Sequence, residues 1–131
     1  MAAAESYPED LRYHPEHDWA RIEGEEAVLG ITWFAQDSLG ELVHVEAPSV
    51  GDMTTKDAPY AEVESVKAVS DVIAPLSGEI VEVNQRVVDE PELVNDDPYG
   101  EGWLVRVRLS DPDEADELLD AAAYRAHVAE G

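Results

Sequence analysis

No cysteine occurs in the 131 residues of this chain. Disulfides, thiolate nucleophiles and cysteine-based zinc or iron–sulfur sites are therefore excluded together, and any thiol chemistry has to be brought in on a cofactor. Basic residues are scarce as well: eight lysines and arginines stand against thirty-one acids, for a net charge of −23. That balance repels nucleic acid and anionic membranes, which are bound largely through lysine and arginine. It favours docking on basic partner surfaces, with association that slows as salt rises. No apolar run approaches the ~20 residues that a membrane-spanning helix needs. Met1-Ala2-Ala3-Ala4-Glu5 has neither a basic region nor a long apolar core, and the first arginine is Arg12. With no signal or transit peptide visible, a cytoplasmic monomer is expected.

What is present fits a folded, turn-rich protein: 44% hydrophobic residues, eight glycines and eight prolines. The length suits one domain, placed at residues 13–131 after a loosely ordered leader over residues 1–12. A first strand is anchored by Trp19, and Glu23-Gly24-Glu25-Glu26 turns it back into Ala27-Val28-Leu29-Gly30-Ile31. Thr32 caps a short helix that Gly40 stops. Further strands are expected over residues 41–46, 60–65, 69–74, 79–83 and 103–109, with residues 89–102 as a long acidic loop. Two short helices close the chain, over residues 113–119 and 121–129. Many short strands with brief helices predict a mainly β fold, an antiparallel sandwich or flattened barrel.

Most motifs that invite an enzymatic reading fail on spacing. His14, Glu16, His17 and Asp18 are close in sequence, but Pro15 opposes the helix that would make the two histidines adjacent ligands, so no metal is assigned. Ser65-Val66-Lys67 lacks the Ser-x-x-Lys spacing of serine–lysine enzymes, and no Gly-x-Ser-x-Gly turn exists. Trp19, Trp33, Phe34 and Trp103 are placed in the core rather than in a groove. A non-catalytic protein is expected.

Lys67 stands apart. It is one of two lysines, the other being Lys56, and it sits in a short break between two strand-like runs. Val66 and Ala68 keep its surroundings small and uncharged, while Glu64 and Asp71 flank it as recognition features. On local pattern alone an ordinary solvated turn lysine is the better description, since most turn lysines are only solvated.

The stretch Glu64-Ser65-Val66-Lys67-Ala68, then Ser70-Asp71 and Ala74-Pro75-Leu76-Ser77-Gly78-Glu79-Ile80, resembles the lipoyl-attachment region of the glycine cleavage system H-protein family. The resemblance continues through Glu16-His17-Asp18-Trp19, Gly30-Ile31-Thr32, Pro91-Glu92-Leu93-Val94-Asn95 and Asp97-Pro98-Tyr99-Gly100-Glu101-Gly102-Trp103. It implies a lipoyl-domain-like hybrid barrel-sandwich of antiparallel strands with short helices in the middle and at the C-terminus. It further implies lipoate in amide linkage to Lys67, a cofactor that would supply the missing sulfur. The implied role is a carrier that shuttles the aminomethyl group of glycine on this arm. Its partners would be the pyridoxal-phosphate decarboxylase (P protein), the tetrahydrofolate aminomethyltransferase (T protein), dihydrolipoyl dehydrogenase (L protein) and the lipoyl-attaching enzymes. Glu64 and Asp71 are then recognition or arm contacts, and Glu16 and Asp18 contacts to the cationic aminomethyl group. Asp18 stands where the family usually has glutamate, and Trp33-Phe34 is bulkier than the usual pair. An H-like carrier serving lipoate transfer or sulfur metabolism is the alternative. Biotin carriage fits less well, because Val66 and Ala68 occupy positions that are usually methionine in biotin domains.

Overall fold

A computed structural model describes residues 4–130; the first three residues of the expected leader, and Gly131, lie outside the described residues. The strands are β1 (Arg12–His14), β2 (Asp18–Glu23), β3 (Glu26–Ile31), β4 (Leu42–Glu46), β5 (Met53–Thr54), β6 (Pro59–Ser65), β7 (Val69–Ile73), β8 (Gly78–Val83) and β9 (Val105–Leu109). Four α-helices accompany them: α1 (Trp33–Leu39), α2 (Gln85–Asp89), α3 (Glu92–Asp96) and α4 (Ala121–Glu130). A 3-10 helix spans Pro112–Glu117. All pairings are antiparallel, in a six-stranded sheet ordered β1-β2-β3-β9-β8-β5 and a three-stranded sheet ordered β4-β6-β7.

Local chemistry accounts for most of these elements. Glu23 pairs with Glu26 across a two-residue turn in which Gly24 takes φ +67°, a left-handed conformation that glycine adopts without strain. Thr32 Oγ1 accepts from the Ala35 N–H at 3.2 Å and starts α1; the Gly40 N–H closes it on the Gln36 carbonyl at 2.9 Å. Two expectations need correction. Residues 89–102 are not one long loop, since α2 and α3 lie in and beside that stretch, with the Asn84 side chain accepting from the Arg86 N–H. Residues 112–117 form a 3-10 helix, because Asp111 and Pro112 tighten the first turn.

The sheets enclose one core of Leu29, Leu76, Ile80, Val45, Val63, Val72 and Val107, all almost fully buried. A second, aromatic cluster gathers Tyr7, Leu11, Tyr13, Trp19 and Tyr124. There the Tyr13 and Tyr124 rings stack at 4.6 Å, and Tyr13 exchanges backbone hydrogen bonds with Leu119. Residues 7 and 11, within the stretch expected as leader, are thus packed between strand and C-terminal helix. No helix among the described residues is long and apolar enough to cross a membrane.

The β6–β7 hairpin is anchored through its arms. Val63 and Val72 face inward at 1% exposure each. Each such burial contributes about 1.5–3 kcal/mol, so the arms are fixed to the core while the tip projects.

Candidate functional site

Lys67 lies at that tip. The Ser65 N–H donates to the Ala68 carbonyl at 2.8 Å, and Ser65 Oγ accepts from the backbone N–H groups of Lys67 (3.3 Å) and Ala68 (3.1 Å). The serine hydroxyl thus satisfies the turn's own donors, and the turn is tight without a glycine. Val66, Lys67 and Ala68 are exposed. Lys56 is held differently, with Nζ 3.2 Å from Asp57 and 3.6 Å from Glu117. Lys67 Nζ has no hydrogen bond or ion pair among the described residues. An unpaired amine on a braced turn is accessible to a modifying enzyme; the other lysine is engaged.

The four acids expected around Lys67 fall into two places. Glu64 and Asp71 are exposed on the outer face of the three-stranded sheet. There Glu46, Glu62 and Asp71 stand in one row across β4, β6 and β7, and His44, Glu64 and Val69 form the next. Glu16 is exposed in the turn before β2, whereas Asp18 is 2% exposed. The backbone of Ile73, at the end of β7, partly favours the charged Asp18 carboxylate. Burial pushes its pKa well above the ordinary carboxylate value, and Glu16 adds to that.

Among the described residues, neither Asp18 Oδ2 nor the buried Tyr60 hydroxyl has a hydrogen-bond partner. Such atoms cost stability and call for an explanation. The Asp18 pKa is raised in the folded state, so the folded protein binds the proton more tightly than the unfolded chain. The penalty for the charge is then full only above the raised pKa and relieved as pH falls through it. Above that raised pKa, Asp18→Asn is expected to stabilise the fold by about 1–3 kcal/mol. That gain shrinks as pH falls through the raised pKa toward the ordinary 3.8. Thermal melts of both proteins across this range check it.

A cavity of about 460 Å³ opens beside the attachment point, lined by Gln36, Asp37, Gly40, Glu41, Glu92 and Asp96, with Asn95 at its wall. Gly40 belongs both to this cavity and to the lysine stem: a Cβ there would lie 3.7 Å from Lys67 Cε. Asn95 knits the wall together, donating to the Gln36 side chain and the Gly40 carbonyl and accepting from the Leu42 N–H, each at 2.9 Å. These residues were not foreseen from sequence. They come from α1, α3 and the start of β4, and only Gly40, as a helix stop, carried a local signal.

The histidines are otherwise employed. His14 Nε2 meets Asp57 at 2.7 Å, His17 Nδ1 meets the Tyr124 hydroxyl at 2.8 Å, and His127 Nε2 donates to the Pro15 carbonyl at 2.9 Å. No group of three histidine or acidic side chains is arranged to hold a metal among the described residues.

The comparisons agree with one another. The family described as glycine cleavage H-protein matches residues 11–131. The glycine cleavage system H protein of Symbiobacterium thermophilum is 54% identical over 124 residues, covering 95% of this chain and 97% of that protein. Its counterpart from Anaeromyxobacter sp. (strain K) is 53% identical over 123 residues, covering 94% and 96%. The crystal structure of a glycine cleavage system H protein from Mycobacterium marinum superposes with a TM-score of 0.86 at 41% identity, covering 93% of this chain and 98% of that one. Its likeness fits the barrel-sandwich arrangement of the two sheets. With Lys67 raised between β6 and β7 on that same scaffold, the chain belongs to the glycine cleavage H-protein family.

Proposed function

We propose that this protein is the lipoyl carrier of glycine cleavage. It presents from Lys67 an arm that passes the aminomethyl group of glycine between the P, T and L proteins in the cytoplasm, as a monomer without catalytic groups of its own. The observation that carries the reading is the unpaired, exposed Lys67 amine on a turn braced by Ser65. Lipoate in amide linkage there supplies a dithiolane that accepts the one-carbon unit together with two electrons, sulfur chemistry that a cysteine-free chain lacks.

The residues present fit such a group. Lys67 offers the amine, its stem passes close to Gly40, and Asp18 holds a buried carboxylate oxygen without a donor. Asp18 pairs with the positive charge of the carried amine, and Glu16 adds negative potential beside it. Glu64 and Asp71 present carboxylates near the tip to the lipoyl-attaching enzymes and to the arm. The row Glu46, Glu62 and Asp71 places like charges directly opposite one another across strands. Such a row destabilises an isolated sheet, and a basic partner surface relieves it, which supports docking of the partner enzymes on this face.

Reconstitution tests the pathway. Lipoylated protein is expected to support exchange between glycine carboxyl and carbon dioxide with the pyridoxal-phosphate decarboxylase, at a rate that falls as salt rises. Competent, lipoylated protein that supports no exchange overturns the glycine-cleavage reading and favours a carrier for another lipoyl-dependent pathway.

A further inference from the structure

We infer that Asn95, on α3, is a positioning residue for Lys67: one side-chain amide holds both supports of the lysine, the end of α1 and the start of β4, in place for lipoate attachment. The inference rests on the lipoyl-carrier reading and deepens it with a residue that lies outside the hairpin and touches neither the amine nor the cofactor.

Asn95 is buried, and its amide is spent on three bonds to α1 and β4. Nδ2 donates to the Gly40 carbonyl and to Gln36 Oε1, and Oδ1 accepts from the Leu42 N–H, each at 2.9 Å. A carbonyl only accepts and a backbone N–H only donates, so a single orientation of the amide serves both Gly40 and Leu42. Each of these two leads on to Lys67 by its own route. Gly40 takes φ +86° and brings the end of α1 against the lysine stem: the atom nearest to a Cβ built there is Lys67 Cε, at 3.7 Å. Leu42 pairs with Ser65 at the end of β6. Ser65 Oγ in turn accepts from the backbone N–H groups of Lys67 and Ala68, at 3.3 and 3.1 Å. The register of β4 against β6 slips between Leu42 and His44. A bulge disrupts the ladder locally, and the Asn95 oxygen supplies a tie at that point.

Attachment is the step that needs this control. The Lys67 ammonium gives a proton to solvent, and Nζ then attacks the carbonyl carbon of a lipoate activated by a nucleotide. The amide C–N bond forms, and the bond from the acyl carbon to the nucleotide phosphate breaks. No hydrogen bond or ion pair among the described residues aims Nζ itself. Its approach is therefore set by the turn from which the stem leaves and by the helix end that the stem passes, and Asn95 holds the two together. Misplacing a reacting atom by about 1 Å costs on the order of a hundredfold in rate.

The test follows attachment to the unlipoylated proteins by a lipoyl-attaching enzyme supplied with lipoate and ATP, well below each melting temperature. Asn95→Leu keeps the branched shape of the side chain and removes all three bonds. Its kcat for attachment is expected to fall between about tenfold and a hundredfold, with KM within about twofold of wild type. Ser65→Ala, at the far end of the Leu42 route, should lower kcat in the same way, and Ser65→Thr, which keeps the hydroxyl, should restore it. Because both residues act on one lysine, the double variant Asn95→Leu/Ser65→Ala should lose less than the product of the two single losses. Wild-type kcat in Asn95→Leu, a loss confined to KM, or a loss that disappears on further cooling overturns the positioning role. The second of these results assigns Asn95 to enzyme binding and the third to fold stability. Losses that multiply overturn the shared route. If Asn95→Leu does not fold, Asn95→Ala is read by the same criteria. Wild-type protein that accepts no lipoate at all is a separate result, read first, and overturns the carrier reading along with the positioning role.

Discussion

Lys67→Arg is expected to abolish lipoate attachment and glycine–carbon dioxide exchange while leaving the fold intact. Arginine keeps the positive charge and much of the stem, but its guanidinium is not a nucleophile that forms the amide. The Lys67 side chain is exposed and its amine carries no ion pair or hydrogen bond among the described residues, so stability should stay within about 0.5 kcal/mol of wild type. The turn itself depends on backbone groups and Ser65 Oγ, which the substitution does not touch. Exchange assays and melting curves on the same preparations read both halves. Residual exchange means that a second lysine is loaded, and Lys56 is the only other one. A large fall in melting temperature means that the stem packed against Gly40 contributes more than its exposure indicates.

Trp19→Ala should have the largest effect on stability. The ring is fully buried in the aromatic cluster, its Nε1–H donates to the Pro98 carbonyl at 3.0 Å, and Arg21 stacks over it at 5.2 Å. Gly30, its register partner on β3, has no room for a side chain: a Cβ would come 2.6 Å from the ring. The site is therefore built around the indole and cannot collapse onto a methyl group. Truncation of such a ring costs about 3–5 kcal/mol, a large share of the 5–15 kcal/mol that holds a domain of this kind together. Because Asp18 precedes Trp19 on the same strand, the loss should also shorten retention of the carried group at temperatures where the protein remains folded. Urea melts and retention assays together check this. A loss under about 1 kcal/mol would mean that neighbouring rings refill the space.

The part of the site lying on one stretch of chain was legible in the sequence. Two strand-like runs, a two-sided break and an isolated lysine are local signals, and the hairpin with Lys67 at its tip follows from them. The end-to-end resemblance then supplied the scaffold. What escaped depends on contacts between segments distant in sequence. Asp18, at the start of a strand, has the look of an exposed acid, yet β2 is covered at that point and the residue is 2% exposed. Tyr60 read as the first residue of a strand flanking Lys67, since a bulge is visible only once the partner strand is in place. The cavity beside Lys67 assembles residues 36–41 with residues 92–96. Those later residues read as loop because Pro91, Pro98 and a run of acids surround a five-residue helix. Strands as short as β1 and β5 leave no period to detect.

The balance of stabilities gives the carrier reading a physical signature. Trp19 and Val63 serve the fold, and their loss should lower stability. Asp18 holds an atom that burdens it, and its neutral replacement should raise or preserve stability while weakening retention of the carried amine. A row of like charges on the sheet that bears Lys67 adds to the same pattern.

Intact mass spectrometry of the protein purified from its own cells, followed by peptide mapping, tests the central claim most directly. The predicted result is one adduct with the mass of an amide-linked lipoyl group, located on Lys67 and absent from Lys56. A wholly unmodified native pool, or an adduct on Lys56, contradicts it.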